Sequence, residues 1–303
     1  MNGQRTWGSL FLCLAAGTAL SLASPTPAAA QPKNVLVLHS FGLGVEPFRS
    51  AAAAFRDTMA REWGEPISLH EVPLDLPGSD DAEAQEAFAT FLERRLAGRP
   101  PDLVVPVGSL AVRFVAKHRN RLFPAAPVLL LLVDPRLVDP ALLRSNATLV
   151  TEKLNITGIV EDMLQLRPDT ANVAIIFGSS QIERFWEAEL RRELQAFAGR
   201  VTFTWLTGMG LSDLTDRCSS LPPRSFILLG MFAVDATGIA SDYDTALTRI
   251  RERANAPIFG YFKGALGKGI LGGRLYQDAE VGVRGARVAC RILRGERAGD
   301  IAP

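Results

Sequence analysis

The sequence predicts an α/β fold of two doubly wound parallel-sheet lobes joined by a hinge. Two short apolar runs, residues 35–39 and 173–177, each stop at small polar residues and lead into an amphipathic helical pattern. Strand and helix signals alternate after both runs, which is typical of parallel sheets with crossover helices. Residues 154–180 join the two series, so we expect a cleft between two lobes.

The first half contains four strand signals. Amphipathic helix patterns alternate with these strands. One carries Phe48, Phe55 and Met59 on its apolar face, and a later one carries Phe91 and Leu92 as part of a buried stripe. The predicted strands are residues 35–39, 67–72, 103–107 and 127–133. The last is continuously apolar, as a central parallel strand buried on both faces should be.

The second half repeats this order. Ser180 and Glu183 have the spacing of a capping box, which predicts a helix start. The predicted strands are residues 173–177, 201–206, 226–229, 257–262 and a closing strand at 270–275. The closing strand and the helix after it have no counterpart in the first half, so we expect them to return to the first lobe.

Composition limits the class of protein. The 303 residues are 48% hydrophobic and 21% charged, with a net charge of +1, which is ordinary for one large or two modest globular domains. A nearly neutral chain gives no reason to expect nucleic acid or an anionic membrane surface as a partner.

Residues 1–30 have the order of a secretory signal peptide. Arg5 precedes an apolar stretch at residues 7–22, and Ala28, Ala29 and Ala30 supply a small-residue cleavage site. An uncleaved membrane anchor is the alternative, although the apolar stretch is short for a span. The sequence therefore predicts export, and Cys218 and Cys290 of the mature chain are left either as a disulfide or as unpaired buried thiols.

Motifs for catalysis, metals or cofactors are absent from the sequence. The three histidines are scattered and make no metal-ligand spacing with the cysteines. Gly267, Gly269 and Gly272 match G-x-G-x-x-G, but the motif does not join a first strand to its helix, so backbone bends explain these glycines better. We therefore expect a protein that is not an enzyme, with no catalytic residues, no metal and no cofactor.

The candidate ligand site follows from the strand ends, because ligands of parallel sheets bind outside the carboxyl ends of the strands. The candidate ligand-binding residues are Ser40, Phe41, Gly108, Ser109, Asp134, Ser179, Ser180, Phe232, Asp235, Tyr261 and Phe262. Hydroxyl residues at helix N-termini favour a carboxylate or another anion. The aromatic rings suit an apolar or ring-bearing group, and Asp134 suits an ammonium.

Each candidate also has a purely structural interpretation. Ser109 and Ser180 can simply cap their helices, and Asp134 can shape the turn before Pro135. The aromatic residues are more often packing than contact. Asp235 fits a solvated turn better than a cleft.

The sequence resembles the substrate-binding proteins of uncharacterised ABC transport systems, of the type that includes aromatic amino acid binders. The resemblance runs from about Asn34 to the end, on VLVLHSF, DLVVPVGSLAVRF, PVLLLLVDPRLV, LNITGIVEDMLQLRPDTANVAIIFGSS and GILGGRLYQDAEVGVRGARVACRILRGE. It implies a periplasmic-binding fold of the first type, with hinge crossings at Asn155, Thr157 and Gly158 and again near residues 264–269. The first lobe would then hold residues 34–156 and 269–303, and the second lobe residues 157–268.

A closer likeness is to the extracytoplasmic sensor region of bacterial sensor histidine kinases. It is carried by ERFWEAELRRELQAF, VTFTWL, LPPRS and NAPIFGYF, followed by GKGILGG. The resemblance implies a periplasmic module, membrane-tethered if it belongs to a longer sensor chain, that senses an amino acid or other small carboxylate for a signalling kinase. The alternatives are a free periplasmic protein that delivers solute to an ABC permease, and a lobe pair that binds another protein.

Overall fold

The computed structural model describes residues 31–74, 82–144, 146–151 and 153–302. The predicted signal peptide lies outside these residues. None of the helices in this part of the chain is both long enough and apolar enough to cross a membrane.

The first lobe is built on a five-stranded parallel sheet of order β2-β1-β3-β4-β5. Its elements are β1 (Lys33–His39), α1 (Phe48–Glu62), β2 (Ile67–Pro73), α2 (Ala82–Leu96), β3 (Leu103–Val107), α3 (Ser109–Leu122), β4 (Val128–Leu131), α4 (Pro140–Leu143) and β5 (Ala147–Val150). The sequence predicted four of these strands and missed β5, which is short and follows a turn-rich segment.

Successive side chains of β1 point to opposite faces of the sheet, and each face is covered by helices. Val35 and Val37 face the core that contains Phe55 of α1, whereas Leu36 and Leu38 face a separate core beneath α2 and α3. Both faces of the sheet are therefore buried, as alternation of side chains along a strand requires when helices cover both sides.

The second lobe is built on a four-stranded parallel sheet of order β7-β6-β8-β9. Its elements are α5 (Ile156–Leu166), β6 (Asn172–Ile176), α6 (Gln181–Glu193), β7 (Thr202–Leu206), α7 (Leu211–Cys218), β8 (Ser225–Leu229), α8 (Tyr243–Arg253) and β9 (Ile258–Gly260). The prediction of two parallel α/β sheets is confirmed. Cys218 and Cys290 are buried and form no disulfide.

The predicted closing strand at 270–275 is wrong as a regular strand. This stretch forms isolated parallel bridges in place of a regular ladder, and those of Phe259 with Gly272 and Phe262 with Tyr276 place it beside the second sheet. Gly273 approaches so closely that a Cβ there would lie 1.8 Å from the carbonyl oxygen of Gly260. The boundaries of the two lobes stay a prediction, and these bridges favour a second crossing nearer to Gln277 than to Gly269.

The closing helix α9 (Asp278–Leu293) packs mainly along α1 of the first lobe and also reaches β3, β4 and β5. Its buried side chains include Val281, Ala286 and Ala289. The return of the closing helix to the first lobe, expected from the sequence, is therefore seen in this packing.

Two local expectations have different outcomes. The backbone does bend at Gly267 and Gly269, where φ is 77° and 136°. The buried stripe of α2 was predicted with Phe91, but this side chain is 50% exposed and Ala89 with Leu92 face the core instead. One step around the helix is 100°, so a single misplaced position moves a side chain from the core to solvent.

Candidate functional site

A pocket lies between the two sheets, with walls from segments that follow strands of both. It encloses roughly 640 Å³ of empty space, part of it open to solvent. Its lining consists of Pro47, Phe48, Ser109, Leu132, Val133, Asp134, Leu137, Thr151, Leu154, Ile182, Trp186, Met231, Tyr261, Phe262 and Tyr276.

Aromatic rings make up much of this wall. Tyr261 and Phe262 follow β9 and pack against each other with ring centroids 4.5 Å apart, and Tyr243 holds Phe262 from behind at 5.0 Å. Phe48, the first residue of α1, contributes a ring from the other lobe. Rigid rings held in place by edge-to-face contacts form a preformed surface for an apolar or ring-bearing ligand.

The turn between β3 and α3 supplies a polar edge. Gly108 has a φ of 83°, and a Cβ there would lie 2.7 Å from both the Ser40 hydroxyl and the Phe48 ring. Glycine is therefore required for both conformation and space. The Ser40 hydroxyl donates to the carbonyl of Val107 at 2.8 Å and accepts from the N–H of Ala111 at 2.9 Å. Ser40 and Gly108 thus build the turn and lie outside the pocket lining.

Ser109 is the first residue of α3 and faces the pocket. Its side chain is 9% exposed, and in the described part of the chain its hydroxyl has no hydrogen-bond partner. It therefore does not act as a side-chain cap, since Gly108 occupies the cap position. An unpaired hydroxyl at a helix N-terminus is a donor available to an anionic or polar ligand group.

Asp134 lies at the pocket and is already paired. Its Oδ1 accepts from the backbone N–H and the Nε of Arg136 at 2.9 and 2.8 Å, and its Oδ2 accepts from Nη2 at 3.0 Å. Burial alone would raise the pKa of the carboxyl, but the hydrogen bonds and charge of Arg136 outweigh it and hold the pKa below its usual value.

The guanidinium of Arg136 also reaches the second lobe. Its Nη1 contacts the Glu189 carboxylate on α6, and Cζ lies 5.6 Å from the ring of Trp186. A second cross-lobe hydrogen bond runs from Arg113 of α3 to Gln181 of α6 at 2.5 Å. These contacts connect α6 to the first lobe beside the pocket.

The turn after β6 is organised by the predicted capping box, which is confirmed. The N–H of Ser180 donates to Oε2 of Glu183 at 2.7 Å, and the N–H of Glu183 donates to the Ser180 hydroxyl at 3.4 Å. Oε1 of Glu183 accepts from the N–H of Ala233 at 2.5 Å, so the carboxyl also fixes the loop after β8. Burial raises the pKa of Glu183, against the opposing effect of these hydrogen bonds. Ser179 and Ser180 lie outside the pocket lining.

The remaining candidate residues that follow strands pack behind the pocket wall or stabilise a loop. Phe41 packs against Phe48 at 5.2 Å, behind the pocket wall. Phe232 is buried outside the lining. Asp235 accepts hydrogen bonds from the N–H groups of Leu211, Thr237 and Ile239, and so shapes a loop. It is only 5% exposed, so the expectation of a solvated turn is wrong: these backbone groups take the place of water.

The predicted hinge residues lie at the start of α5. The Asn155 side chain caps this helix by accepting from the N–H of Gly158 at 2.9 Å and from the Thr157 hydroxyl at 3.3 Å. A Cβ on Gly158 would lie 2.2 Å from the guanidinium of Arg274, which binds Asp162 on the same helix. Their role in hinge motion stays a prediction.

The structure thus brings Ser109, Asp134, Tyr261 and Phe262 together at one pocket. Ligand contact by any candidate stays a prediction. Sequence reasoning missed Trp186 and Tyr276 as wall residues. Ile182 and Trp186 are four apart on α6 and both line the pocket, so the helical spacing places them on one face but does not show what that face meets.

Comparisons with known proteins agree with this architecture. The model of the family described as ABC transporter substrate binding protein matches residues 75–303. A search of curated proteins gave no match.

Three solved structures illustrate the likeness. The ABC domain from Streptococcus pneumonia in complex with L-Trp is 18% identical, with a TM-score of 0.64 over 89% of this chain and 88% of that one. A conserved domain protein from Vibrio cholerae O1 biovar El Tor is 16% identical, with a TM-score of 0.65 over 90% and 88%. An ABC transporter solute binding protein from Bacillus halodurans with bound myo-inositol is 15% identical, with a TM-score of 0.56 over 90% and 92%.

At these identities the structural likeness establishes the fold, which is that of type I periplasmic binding proteins. The family model covers most of the chain, including the segments that carry Ser109, Asp134, Trp186 and Tyr261. The chain belongs to the ABC transporter substrate-binding protein family.

Proposed function

We propose that this chain is an extracytoplasmic binding module whose two lobes close on a small ligand, and that it provides the input of a sensor histidine kinase. The observation that carries the binding function is the pocket between the sheets, with Ser109 and Asp134 on one side and Trp186 and Tyr261 on the other. The proposal assigns binding to this site and no catalytic step.

Closure on the ligand is supported by the way both lobes share the site. A ligand that touches both walls stabilises the closed arrangement over the open one, because it makes its full set of contacts only there. Arg113 with Gln181, and Arg136 with Glu189, already connect the two lobes beside the pocket, so the two walls lie close enough for one small ligand to touch both. Asn155 and Gly158, at the start of α5, are the proposed hinge.

The chemistry of the pocket supports an amino acid or another small carboxylate with an apolar or aromatic body. The wall offers Phe48, Trp186 and Phe262 to the body of such a ligand, and Ser109 to its charged end. The neighbour from Streptococcus pneumonia was solved with L-Trp, which belongs to this class.

Thermal unfolding with a ligand panel tests the binding function. The panel contains amino acids, aromatic acids, other small carboxylates, sugars and polyols. A ligand at about 100 times its dissociation constant adds roughly 2.7 kcal/mol to the free energy of unfolding, which raises Tm by several degrees. Small-angle scattering should then show a smaller radius of gyration at saturation. No stabilisation by any class of compound contradicts the binding function, and an unchanged radius contradicts closure.

The sensor role is supported by the likeness of residues 183–197 and 255–273 to kinase sensor regions. The second candidate function, delivery of solute to an ABC permease, is favoured by the family to which the chain belongs. Reading the genomic DNA around codon 303 separates them. An in-frame membrane segment and kinase motifs support the sensor, whereas adjacent permease and ATPase genes support transport.

A further inference from the structure

We infer that the pocket selects an apolar or aromatic carboxylate that carries no ammonium group, in preference to the amino acid of the same skeleton. This inference rests on the proposed binding function and specifies the ligand class of the same site. Three observations carry it: an unpaired donor at one edge, a carboxylate that is already paired with an arginine, and aromatic walls between them.

The donor edge is the N-terminus of α3, a helix of 14 residues. The N–H of Gly108 donates to the carbonyl of Leu131 at 2.8 Å, and the N–H of Ala111 donates to the Ser40 hydroxyl. The first N–H groups of a helix have no partner within it, so those of Ser109 and Leu110 are left for other acceptors. The Ser109 hydroxyl joins them, being nine-tenths buried, turned toward the pocket and without a partner among the described residues. This edge suits a carboxylate.

An amino acid also needs an anionic partner for its ammonium group, and among the described lining residues the one such group is already paired. Asp134 is the only carboxylate among the described lining residues. Three hydrogen bonds of 2.8 to 3.0 Å from Arg136 occupy both of its oxygens. An ammonium group that enters this pocket loses water and meets a carboxylate that is already hydrogen-bonded to Arg136, which costs binding free energy.

The walls between these two groups are apolar and aromatic. Phe48, Trp186 and Phe262 surround the space in which the body of the ligand would lie. Burial raises the pKa of Tyr261 above its usual value, so its hydroxyl adds no negative charge to the wall. The pocket therefore matches a ligand with one anionic end and an apolar remainder.

Calorimetric titration of the 303-residue chain with matched pairs tests this. The pairs are 3-(indol-3-yl)propanoate with L-tryptophan, and 3-phenylpropanoate with L-phenylalanine, which differ only by the ammonium group. We expect the acid of at least one pair to bind about 10-fold or more tightly than its amino acid, because the ammonium group loses water in a partly open pocket without gaining an unpaired anionic partner. Phenethylamine, which has the ring and the ammonium but no carboxylate, should show no binding.

Equal or tighter binding of both amino acids overturns the inference and leaves the proposed binding function standing. Binding of neither member of either pair also overturns it. In that case, stabilisation by sugars or polyols in the thermal panel would show that the site binds small molecules of another class, whereas no stabilisation by any compound would contradict the proposed function itself.

Two variants assign the selectivity to the named groups. Ser109→Ala should weaken acid binding about 10-fold, because one hydrogen bond to a charged group is lost. Ser212→Ala, an exposed serine near the start of α7 and outside the pocket, is the matched control. Arg136→Gln frees the Asp134 carboxylate, so the ratio of acid to amino acid affinity should fall about 10-fold. An unchanged ratio in Arg136→Gln, or equal losses in the two serine variants, overturns the assignment.

Discussion

The close packing of α9 on α1 makes a strong prediction about Gly282. A Cβ at this position would lie 2.2 Å from the carbonyl oxygen of Ala51 and 3.0 Å from the Cβ of Ala54, both on α1. Non-bonded atoms of this kind prefer separations of roughly 3.5 Å, so the two helices must separate by about 1 Å in Gly282→Ala. A backbone carbonyl inside a helix cannot rotate away as a side chain can.

The expected loss of stability is about 2 kcal/mol. Overpacking that moves backbone costs about 3 kcal/mol, the upper end of the usual range, and alanine regains about 1 kcal/mol over glycine in a helix. Urea unfolding should show a lower midpoint with an unchanged m value, and Tm should fall by about 4–8 °C. Because α1 begins at Phe48, ligand affinity should fall as well.

Gly285→Ala is the matched control on the same helix. Its Cβ would meet the Cδ1 of Leu131 at 2.6 Å and no other atom closer than 3.6 Å, and the end of a leucine side chain can rotate away. Strain then costs about 1 kcal/mol, and the higher helix propensity of alanine offsets about the same amount, so the free energy of unfolding should change little. A Gly282→Ala protein as stable as the wild type, or equal losses in the two variants, would refute the reasoning.

Three further predictions concern the pocket wall, the helix cap and pH. Trp186→Ala removes an aromatic wall and should weaken ligand binding about 10-fold or more in calorimetry. Trp205→Ala, which lies outside the pocket, should leave ligand affinity unchanged. Equal effects of the two variants contradict the assignment of Trp186 to the ligand site. Ser180→Ala removes the side-chain cap of α6 and should lower the free energy of unfolding by about 1 kcal/mol in urea, so an unchanged midpoint would be evidence against the cap. A hydrogen bond from His39, opposed by burial and aided by Arg56, lowers the pKa of Glu71 below its ordinary value of 4.5. The ionised Glu71 carboxylate therefore stabilises the folded state fully above pH 4.5, and this stabilisation is lost as the pH falls through the folded pKa. Glu71→Gln should be less stable than the wild type above pH 4.5, and the difference in free energy of unfolding should disappear below it. A difference that persists in acid contradicts this.

The sequence by itself determined the fold class and the sites of most strands and caps. These features depend on local patterns: apolar runs such as residues 173–177 form a buried strand wherever helices cover both faces, and Ser180 with Glu183 caps a helix through bonds three residues apart. β5 was missed because a strand of four residues carries too short a pattern to stand out.

The candidate site was predictable only to the level of strand ends. The rule for parallel sheets led to Ser109, Asp134, Tyr261 and Phe262, which do meet at one pocket. It also led to Ser40, whose hydroxyl is used inside the β3–α3 turn. The rule specifies the edge of a sheet at which a residue lies, but not the direction of its side chain or the partner that reaches it first.

Tertiary structure decided the rest, because it depends on contacts between segments that are distant in the chain. Trp186 became a pocket wall only when α6 was set against the first lobe, and Gly282 became essential to packing only when α9 crossed back to α1. The guanidinium of Arg136 turns back onto Asp134 while also reaching Glu189, and no local pattern specifies that choice among rotamers. Periodicity along the chain determines which face of a helix or strand is apolar. The chemistry of a pocket depends on which of these faces meet, and on which charged side chains are already paired there.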